Sequence, residues 1–284
     1  MFVEVNTSVS IEDLLRGIII QSGNDATIVV AEGLSGSEEA FADEMTATAR
    51  SLGMMGTQFK NASGWPHPEH YTTARDLATL AIAIIERHPE YYHLYSEMSF
   101  TYNDIEQGNR NPLLYRNIGA DGLKTGHTEA SGYGLTASAV NGDRRLVMVI
   151  NGMESSKERA AEGVKLLSWG FREWNSYKLF AAGETVETVP VWLGSQPNIG
   201  LYVEEPMNVT IRRRARKDLK VTAKYTEPVS APIVAGAVLG EVTVTAPGIE
   251  PMTLPLKAAS SVEQLGAVGR LKAAVNYLLW GGGL

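Results

Sequence analysis

Cysteine is absent from the 284 residues, and basic side chains are fewer than acidic ones. Without cysteine the chain has no thiol nucleophile, disulfide bond or thiolate zinc site, so hydroxyl, amine, imidazole and carboxylate groups must supply any chemistry. The formal net charge of −7 argues against a general affinity for nucleic acid, because phosphate binding depends on clustered Lys and Arg. We therefore expect no nucleic-acid partner.

Long apolar runs are also absent. Even residues 14–20 are interrupted by Arg16 and Gly17, so no segment is apolar enough to span a bilayer. The first residues lack the charged region and apolar stretch of a secretory signal, and the alternating residues 1–5 predict a strand instead. The apolar fraction of 44% is nonetheless sufficient for a large folded core.

The first 178 residues combine helical and strand patterns. Apolar residues recur at helical spacing, and Ser10 with Asp13 forms a capping-box-like start to the first helix. The turn Asn141-Gly142 joins two strand-like runs into a predicted hairpin. Helices are predicted at residues 10–21, 26–32, 38–52, 73–87 and 157–174, and strands at residues 98–102, 134–140 and 145–151.

Short alternating runs with Gly, Pro and Asn turns predict a small all-β domain over residues 179–258. Its basic run, residues 212–217, is interpreted as a solvated turn in a β-hairpin, with binding to nucleic acid or another anionic surface as the alternative.

The last segment, residues 259–284, has an amphipathic helical pattern whose apolar face comprises Val268, Leu271, Val275, Leu278 and Leu279. We interpret this segment as a helix that lies in a membrane interface, because it follows a complete domain and lacks an evident packing partner. Packing against the β domain is the alternative.

Two short motifs carry the chemistry. Ser22-Gly23-Asn24 lies in a polar break between two predicted helices, and Lys124-Thr125-Gly126 lies on a predicted strand. Either triplet recurs by chance, but the ordered pair is typical of serine β-lactamases and penicillin-binding proteins, beside a Ser-x-x-Lys nucleophile. A serine that attacks an amide needs a proton acceptor, donors for the oxyanion and a cation for the substrate's carboxylate. Helix capping by the first triplet and an exposed edge-strand lysine in the second are the purely structural alternatives.

The resemblance to one family extends along the whole chain. The segments that carry it are residues 17–26, residues 59–64, residues 121–128 and the β domain with its terminal helix. The sequence resembles the low-molecular-mass penicillin-binding proteins that are serine-type D-alanyl-D-alanine carboxypeptidases. That resemblance implies an α+β fold, with a transpeptidase-like domain of the β-lactamase and penicillin-binding-protein type over residues 1–178, the β domain, and the C-terminal amphipathic helix.

The resemblance implies catalytic roles for two residues. Ser22 would relay a proton between the nucleophile, its lysine and the leaving group, and Lys124 would polarise Ser22 and help to hold the substrate.

Substrate-binding roles follow from the same resemblance. Asn24 would hydrogen-bond the substrate's amide, Thr125 would bind its terminal carboxylate, and Arg159 would support that recognition. Gly126 would let the substrate backbone lie against the strand, and the backbone N–H of His127 would form half of the oxyanion hole. No metal or other cofactor is implied, because His67, His70 and His127 lack carboxylate or cysteine ligands at suitable spacing.

The sequence departs from the family in one respect: no Ser is followed by Lys three positions later. The family places that tetrad upstream of the Ser-Gly-Asn triplet, whereas Thr57-Gln58-Phe59-Lys60 lies downstream and is interpreted as coincidence. Because Met1 matches an internal position of the family, we expect that the signal peptide, the first strands and the nucleophile helix are missing, and that the chain, whose transpeptidase-like domain is thus incomplete, is inactive.

The resemblance further implies partners and location. The substrate would be the peptidoglycan pentapeptide, β-lactams would inhibit the complete enzyme covalently, and the C-terminal helix would attach the protein to the periplasmic face of the bacterial inner membrane. The motifs fit D,D-endopeptidase and weak β-lactamase activity equally well. A noncatalytic wall-binding or scaffolding protein with the same fold is the alternative to an enzyme.

Overall fold

The computed structural model describes residues 1–280 and divides the chain into two compact units, residues 1–171 and 172–284. The predicted glycine tail, residues 281–284, lies outside the described residues. The predicted domain boundary after residue 178 falls within a strand at the start of the second unit.

Helices form most of the first half of the first unit. Three of them begin at side-chain caps, because Ser10, Ser37 and Thr73 each accept a hydrogen bond from a backbone N–H of the first turn. The helices are α1 (Ile11–Ile19), α2 (Asn24–Ser35), α3 (Glu38–Ser51), α4 (Ala74–Arg87), α5 (Pro89–Tyr92) and, after the sheet, α6 (Ser156–Glu173). Each of the five helices predicted for this region is present, with ends that differ by a few residues.

A hairpin and a three-stranded antiparallel sheet complete the unit. The hairpin pairs β1 (Ser99–Tyr102) with β2 (Ile105–Gly108), and the sheet has the order β3 (Ala120–Thr128), β4 (Gly132–Asn141), β5 (Arg144–Met153). The predicted turn at Gly142 joins β4 to β5 with a positive φ of 64°, which glycine adopts without strain. Leu113, Leu135, Met148 and Leu167 pack between the sheet and α6. This arrangement leaves β3 at one edge of the sheet.

The strand predicted for residues 1–5 is wrong, because this segment is irregular and pairs with no strand in the described part of the chain. Phe2 has a φ of 64°, which breaks the extended backbone, and Val3 packs instead against α1 and α2.

Only the first strand of the hairpin formed by β1 and β2 was predicted from the sequence. Its turn, Asn103-Asp104, has positive φ at both positions, a conformation that Asn and Asp tolerate better than most residues.

The second unit is rich in β structure. A six-stranded sheet and a separate two-stranded pair surround a core that includes Val189, Leu201, Ile211, Val242 and Leu256. The larger sheet has the order β10 (Lys220–Tyr225), β12 (Val238–Thr245), β13 (Met252–Ala258), β8 (Asn198–Tyr202), β7 (Thr185–Trp192), β11 (Val229–Ser230), and the pair consists of β6 (Trp174–Phe180) and β9 (Met207–Arg212).

The interpretation of the basic run as a hairpin turn is wrong. Residues 213–218 form a 3₁₀ helix between β9 and β10, and these strands belong to different sheets. The chain therefore crosses from one sheet to the other at this point.

The final described element is α7 (Ala267–Trp280). Val268 and Leu271 are 82% and 68% exposed, so the apolar face predicted for this helix is open at its first turns. No helix among residues 1–280 has the length and apolar character required to cross a membrane.

We expect Leu201→Ala to lower the free energy of unfolding by about 2–5 kcal/mol, because Leu201 is fully buried and the substitution leaves a cavity. Denaturant titration followed by circular dichroism measures this loss. Val234→Ala is the control, since Val234 is 70% exposed and should change stability by less than about 0.5 kcal/mol. A loss at Leu201 no larger than that of the control would contradict the assigned core.

Candidate active site

The Ser-Gly-Asn triplet forms a tight turn between α1 and α2. Ser22 has a φ of 57°, in the left-handed region that few non-glycine residues adopt, and the N–H of Gly23 donates to the carbonyl of Gly17 at 3.0 Å. Strained backbone of this kind persists only where neighbouring structure holds it. The turn therefore gives the Ser22 hydroxyl a defined position. It is not a helix cap, because Gly23 occupies the cap position of α2 and no side chain caps that helix.

Lys124 reaches this turn from the sheet. Its Nζ donates to Ser22 Oγ at 2.6 Å and to the carbonyl of Thr125 at 2.9 Å. The two predicted motifs, which are 102 residues apart in the sequence, thus meet at a single hydrogen bond.

The protonation of Lys124 is perturbed by its surroundings. Burial, together with the positive charges of Arg110 and Arg159, lowers the pKa of Lys124 from its usual 10.5 to about 8. Near neutral pH a part of the population is therefore neutral, and a neutral amine can accept the proton of Ser22 as well as return it. Arg110 was not among the site residues predicted from the sequence, yet its charge contributes to lowering the pKa of Lys124.

The edge position of β3 exposes backbone beside Lys124. Thr125 is buried, while Gly126 and His127 are exposed, and a Cβ added at Gly126 would meet no atom within 4 Å. An edge strand presents backbone N–H and C=O groups to which an extended peptide can bind. Asn24 is exposed at the first position of α2.

Arg159 lies beneath this edge as a buried cation. Its Nη1 lies 3.5 Å from the carbonyl oxygens of Gly126 and Gly134, at the limit of a hydrogen bond, and its Nε is buried without a hydrogen-bond partner among the described residues. Burial lowers the pKa of Arg159 from its usual value, although Tyr133 partly opposes that effect. A buried guanidinium with unused hydrogen-bonding capacity is suited to a carboxylate.

Tyr133 is a component of the site that sequence reasoning missed. Tyr133 lies on β4, across from His127 on β3, and the centroids of the two rings are 4.0 Å apart. Arg159 Cζ lies 5.5 Å from the Tyr133 ring. The predicted hairpin of β4 with β5 gave no signal for it, because Tyr133 lies across from His127 only through the pairing of β3 with β4.

A second missed feature fixes the start of β3. Asn111 Nδ2 donates to the carbonyl of Gly122 at 2.8 Å. Arg145 forms an ion pair with Asp121 at 2.7 Å, and the hydroxyl of Tyr92 donates to Asp121 at 3.0 Å. These contacts hold the backbone two residues before Lys124.

The Thr57–Lys60 segment takes no part in the site. The Thr57 hydroxyl is buried and donates to Asp76 at 2.6 Å, and Lys60 pairs with Glu69 at 3.2 Å. Both residues that have the spacing of the Ser-x-x-Lys tetrad are thus engaged in structural contacts. This geometry agrees with the interpretation of that spacing as coincidence.

Known proteins match both units. Residues 1–155 match the D-alanyl-D-alanine carboxypeptidase family, and residues 174–264 match the C-terminal domain of penicillin-binding protein 5. The D-alanyl-D-alanine carboxypeptidase DacC of Escherichia coli is 40% identical over 273 residues, which are 95% of this chain and 68% of that protein.

Solved structures are similar as well. Penicillin-binding protein 5 from Haemophilus influenzae is 36% identical with a TM-score of 0.80, covering 93% of this chain and 78% of that one. Penicillin-binding protein D2 from Listeria monocytogenes, in its ampicillin-bound form, is 31% identical with a TM-score of 0.54. The match covers 57% of this chain and 68% of that one.

The fold and the facing motifs together define a penicillin-binding protein, with a transpeptidase-like domain followed by a small β domain. Within that class the chain belongs to the D-alanyl-D-alanine carboxypeptidase family, because more than half of its residues match that family and the 40% identical relative is covered over two thirds of its length. The family predicted from the sequence is confirmed.

We expect the unfolding free energy of the native chain, minus that of a Lys124→Met variant, to rise with pH. Between the folded pKa of about 8 and the unfolded value of 10.5, the unfolded chain still binds a proton that the folded chain has released. The difference in unfolding free energy should increase by about 3 kcal/mol across this window and stay nearly constant well below it. Urea titrations at a series of pH values measure it.

Lys157→Met serves as the control for this titration, because Lys157 is exposed on α6. A flat difference for Lys124→Met between pH 8 and 10.5 would contradict the perturbed amine.

Proposed function

We propose that these residues form the substrate-binding and proton-relay part of a serine-type D-alanyl-D-alanine carboxypeptidase acting on peptidoglycan pentapeptides. The observation that carries this proposal is the 2.6 Å hydrogen bond from Lys124 to Ser22, since it joins the two motifs that this chemistry requires. The names of the relatives, which are D-alanyl-D-alanine carboxypeptidases, support the substrate class.

The reaction would proceed through an acyl-enzyme. A serine hydroxyl attacks the carbonyl of the penultimate D-alanine, the peptide bond breaks, and the terminal D-alanine leaves with a proton. Ser22 and Lys124 carry that proton between the attacking hydroxyl and the leaving amine. Water then attacks the acyl ester and releases the shortened peptide.

Binding of the substrate would use the β3 edge. The terminal carboxylate meets the Thr125 hydroxyl, supported by Arg159, and the N–H of His127 donates to the oxyanion. Asn24 binds the peptide amide, and Gly126 leaves room for its backbone. The position of each group, on the sheet edge, beneath that edge or at the facing turn, supports these assignments.

The attacking serine would come from a Ser-x-x-Lys tetrad, and none occurs in these 284 residues. We therefore propose that this chain by itself does not form an acyl-enzyme. A noncatalytic wall-binding protein is the second candidate, favoured by the same observation, and it would bind pentapeptide without hydrolysing it even when a tetrad-bearing segment is supplied.

We expect fluorescent penicillin to leave this 284-residue chain unlabelled and to label the chain once it is joined to the tetrad-bearing segment of the Escherichia coli relative DacC. In that extended chain, Lys124→Met should slow labelling by about 100-fold or more, since proton transfer contributes roughly that factor, while Lys157→Met leaves it unchanged. Gel fluorescence and intact mass measure labelling. Covalent labelling of the 284-residue chain would refute the proposed inactivity, and an extended chain that never labels would favour the noncatalytic alternative.

We also propose that α7 attaches the protein to a membrane surface, on the periplasmic face of the bacterial inner membrane. Exposed Val268 and Leu271, alternating with Arg270 and Lys272, support this location, because interfacial helices combine apolar and basic residues.

We expect Val268→Ser combined with Leu271→Ser to lower partitioning onto phosphatidylcholine vesicles by about tenfold or more, because two apolar side chains no longer enter the interface. Vesicle sedimentation measures the bound fraction. The control is Val234→Ser, at an exposed position of the same unit. Unchanged binding of the double variant would rule out α7 as the anchor.

A further inference from the structure

The second unit concentrates positive charge in one short segment. Seven of the chain's 25 Lys and Arg side chains lie between residues 212 and 224, where Asp218 is the one carboxylate. We call these cations the basic surface, and all of them are exposed: Arg212, Arg213, Arg214, Arg216, Lys217, Lys220 and Lys224. In a chain of net charge −7, such a cluster is a strong local departure from the average.

Two of these cations stack on aromatic rings. Arg212 lies over the ring of Trp174 at 5.6 Å, and Arg216 lies over the ring of Tyr177 at 5.1 Å. Both aromatic residues belong to β6, which pairs with β9. A cation that rests on an aromatic face keeps its charge and loses mobility, so the two arginines are held in position at the surface.

Most of this charge is not neutralised by ion pairs within the described residues. In the part of the chain that the structure describes, no carboxylate lies within ion-pair distance of Arg212, Arg214, Arg216, Lys217 or the lysines of β10. Protection of an exposed strand edge accounts for Lys220 and Lys224, since β10 lies at the edge of its sheet. That explanation does not extend to the arginines of the 3₁₀ helix, which pair with no strand.

We infer that the basic surface binds the anionic phosphate headgroups of a lipid bilayer. The same unit ends in α7, whose exposed Val268 and Leu271 suit hydrocarbon, and a bilayer offers phosphates and hydrocarbon together. A soluble polyanion would engage the cations and leave the apolar residues in water. The choice of a bilayer as the partner rests on the membrane attachment proposed above. The existence of the cation cluster is an observation that is independent of that proposal.

The test measures sedimentation of the 284-residue chain with two kinds of vesicle, phosphatidylcholine alone and phosphatidylcholine mixed with phosphatidylglycerol. We expect stronger binding to the anionic vesicles, with the excess lost at high salt. Arg214→Gln, Lys217→Gln and Lys220→Gln combined should reduce binding to anionic vesicles by roughly tenfold or more and leave binding to phosphatidylcholine unchanged.

The matched control removes the same number of charges from exposed positions elsewhere: Arg75→Gln, Arg87→Gln and Lys157→Gln combined. It should change binding to anionic vesicles far less than the triple variant of the basic surface. Thermal melting of both triple variants should match the native chain, because all six side chains are exposed.

The two membrane proposals fail in different ways. If α7 is not an anchor, the Val268→Ser and Leu271→Ser double variant binds vesicles as the native chain does. A preference for phosphatidylglycerol vesicles that is lost in the basic-surface variant would still support the inference. If the basic-surface variant binds anionic vesicles as the native chain does, or no more weakly than the charge-matched control, the inference is overturned. It is also overturned if the basic surface binds inorganic polyphosphate while the chain does not distinguish the two kinds of vesicle.

Discussion

The hydrogen bond from Lys124 to Ser22 joins two parts of the first unit that are 102 residues apart, and the candidate site depends on it. Each partner is held separately. Ser22 occupies a strained turn between α1 and α2, whereas Lys124 follows a strand start that Asn111, Asp121 and Arg145 anchor. A displacement of either element by one ångström would break the contact, since hydrogen bonds weaken steeply beyond about 3.2 Å. Rigidity on both sides is therefore a requirement of the proposed proton relay.

Buried positive charge is the second constraint. Lys124 and Arg159 lie near one another without a carboxylate partner among residues 1–280, and burial lowers the pKa of both. Such an arrangement costs stability, because each charge is removed from water and repels the other. An anionic substrate terminus would relieve that cost on binding. Perturbed ionisable groups of this kind are typical of functional sites.

Periodicity predicted the long elements well and the short ones poorly. The five longer helices of the first unit, the β4–β5 hairpin and the β-rich second unit were predicted from their periodic patterns, whereas the four-residue helix α5 was not. Residues 1–5 alternate like a strand, yet no neighbouring strand offers them hydrogen bonds, and Val3 instead fills a space beside α1 and α2. The basic run was misjudged for a similar reason, because the pairing of β9 with β6 depends on contacts far away in the sequence.

The sequence by itself determined the family and the two motifs, because residue types at fixed spacing record chemical requirements directly. It also identified the missing Ser-x-x-Lys tetrad, which is a property of composition and order. Only the tertiary structure decided that Ser22 and Lys124 touch, that Tyr133 contacts both His127 and Arg159, and that Arg110 influences the pKa of Lys124. These facts depend on distances between residues remote in the chain, and such distances arise from packing, which local patterns do not encode.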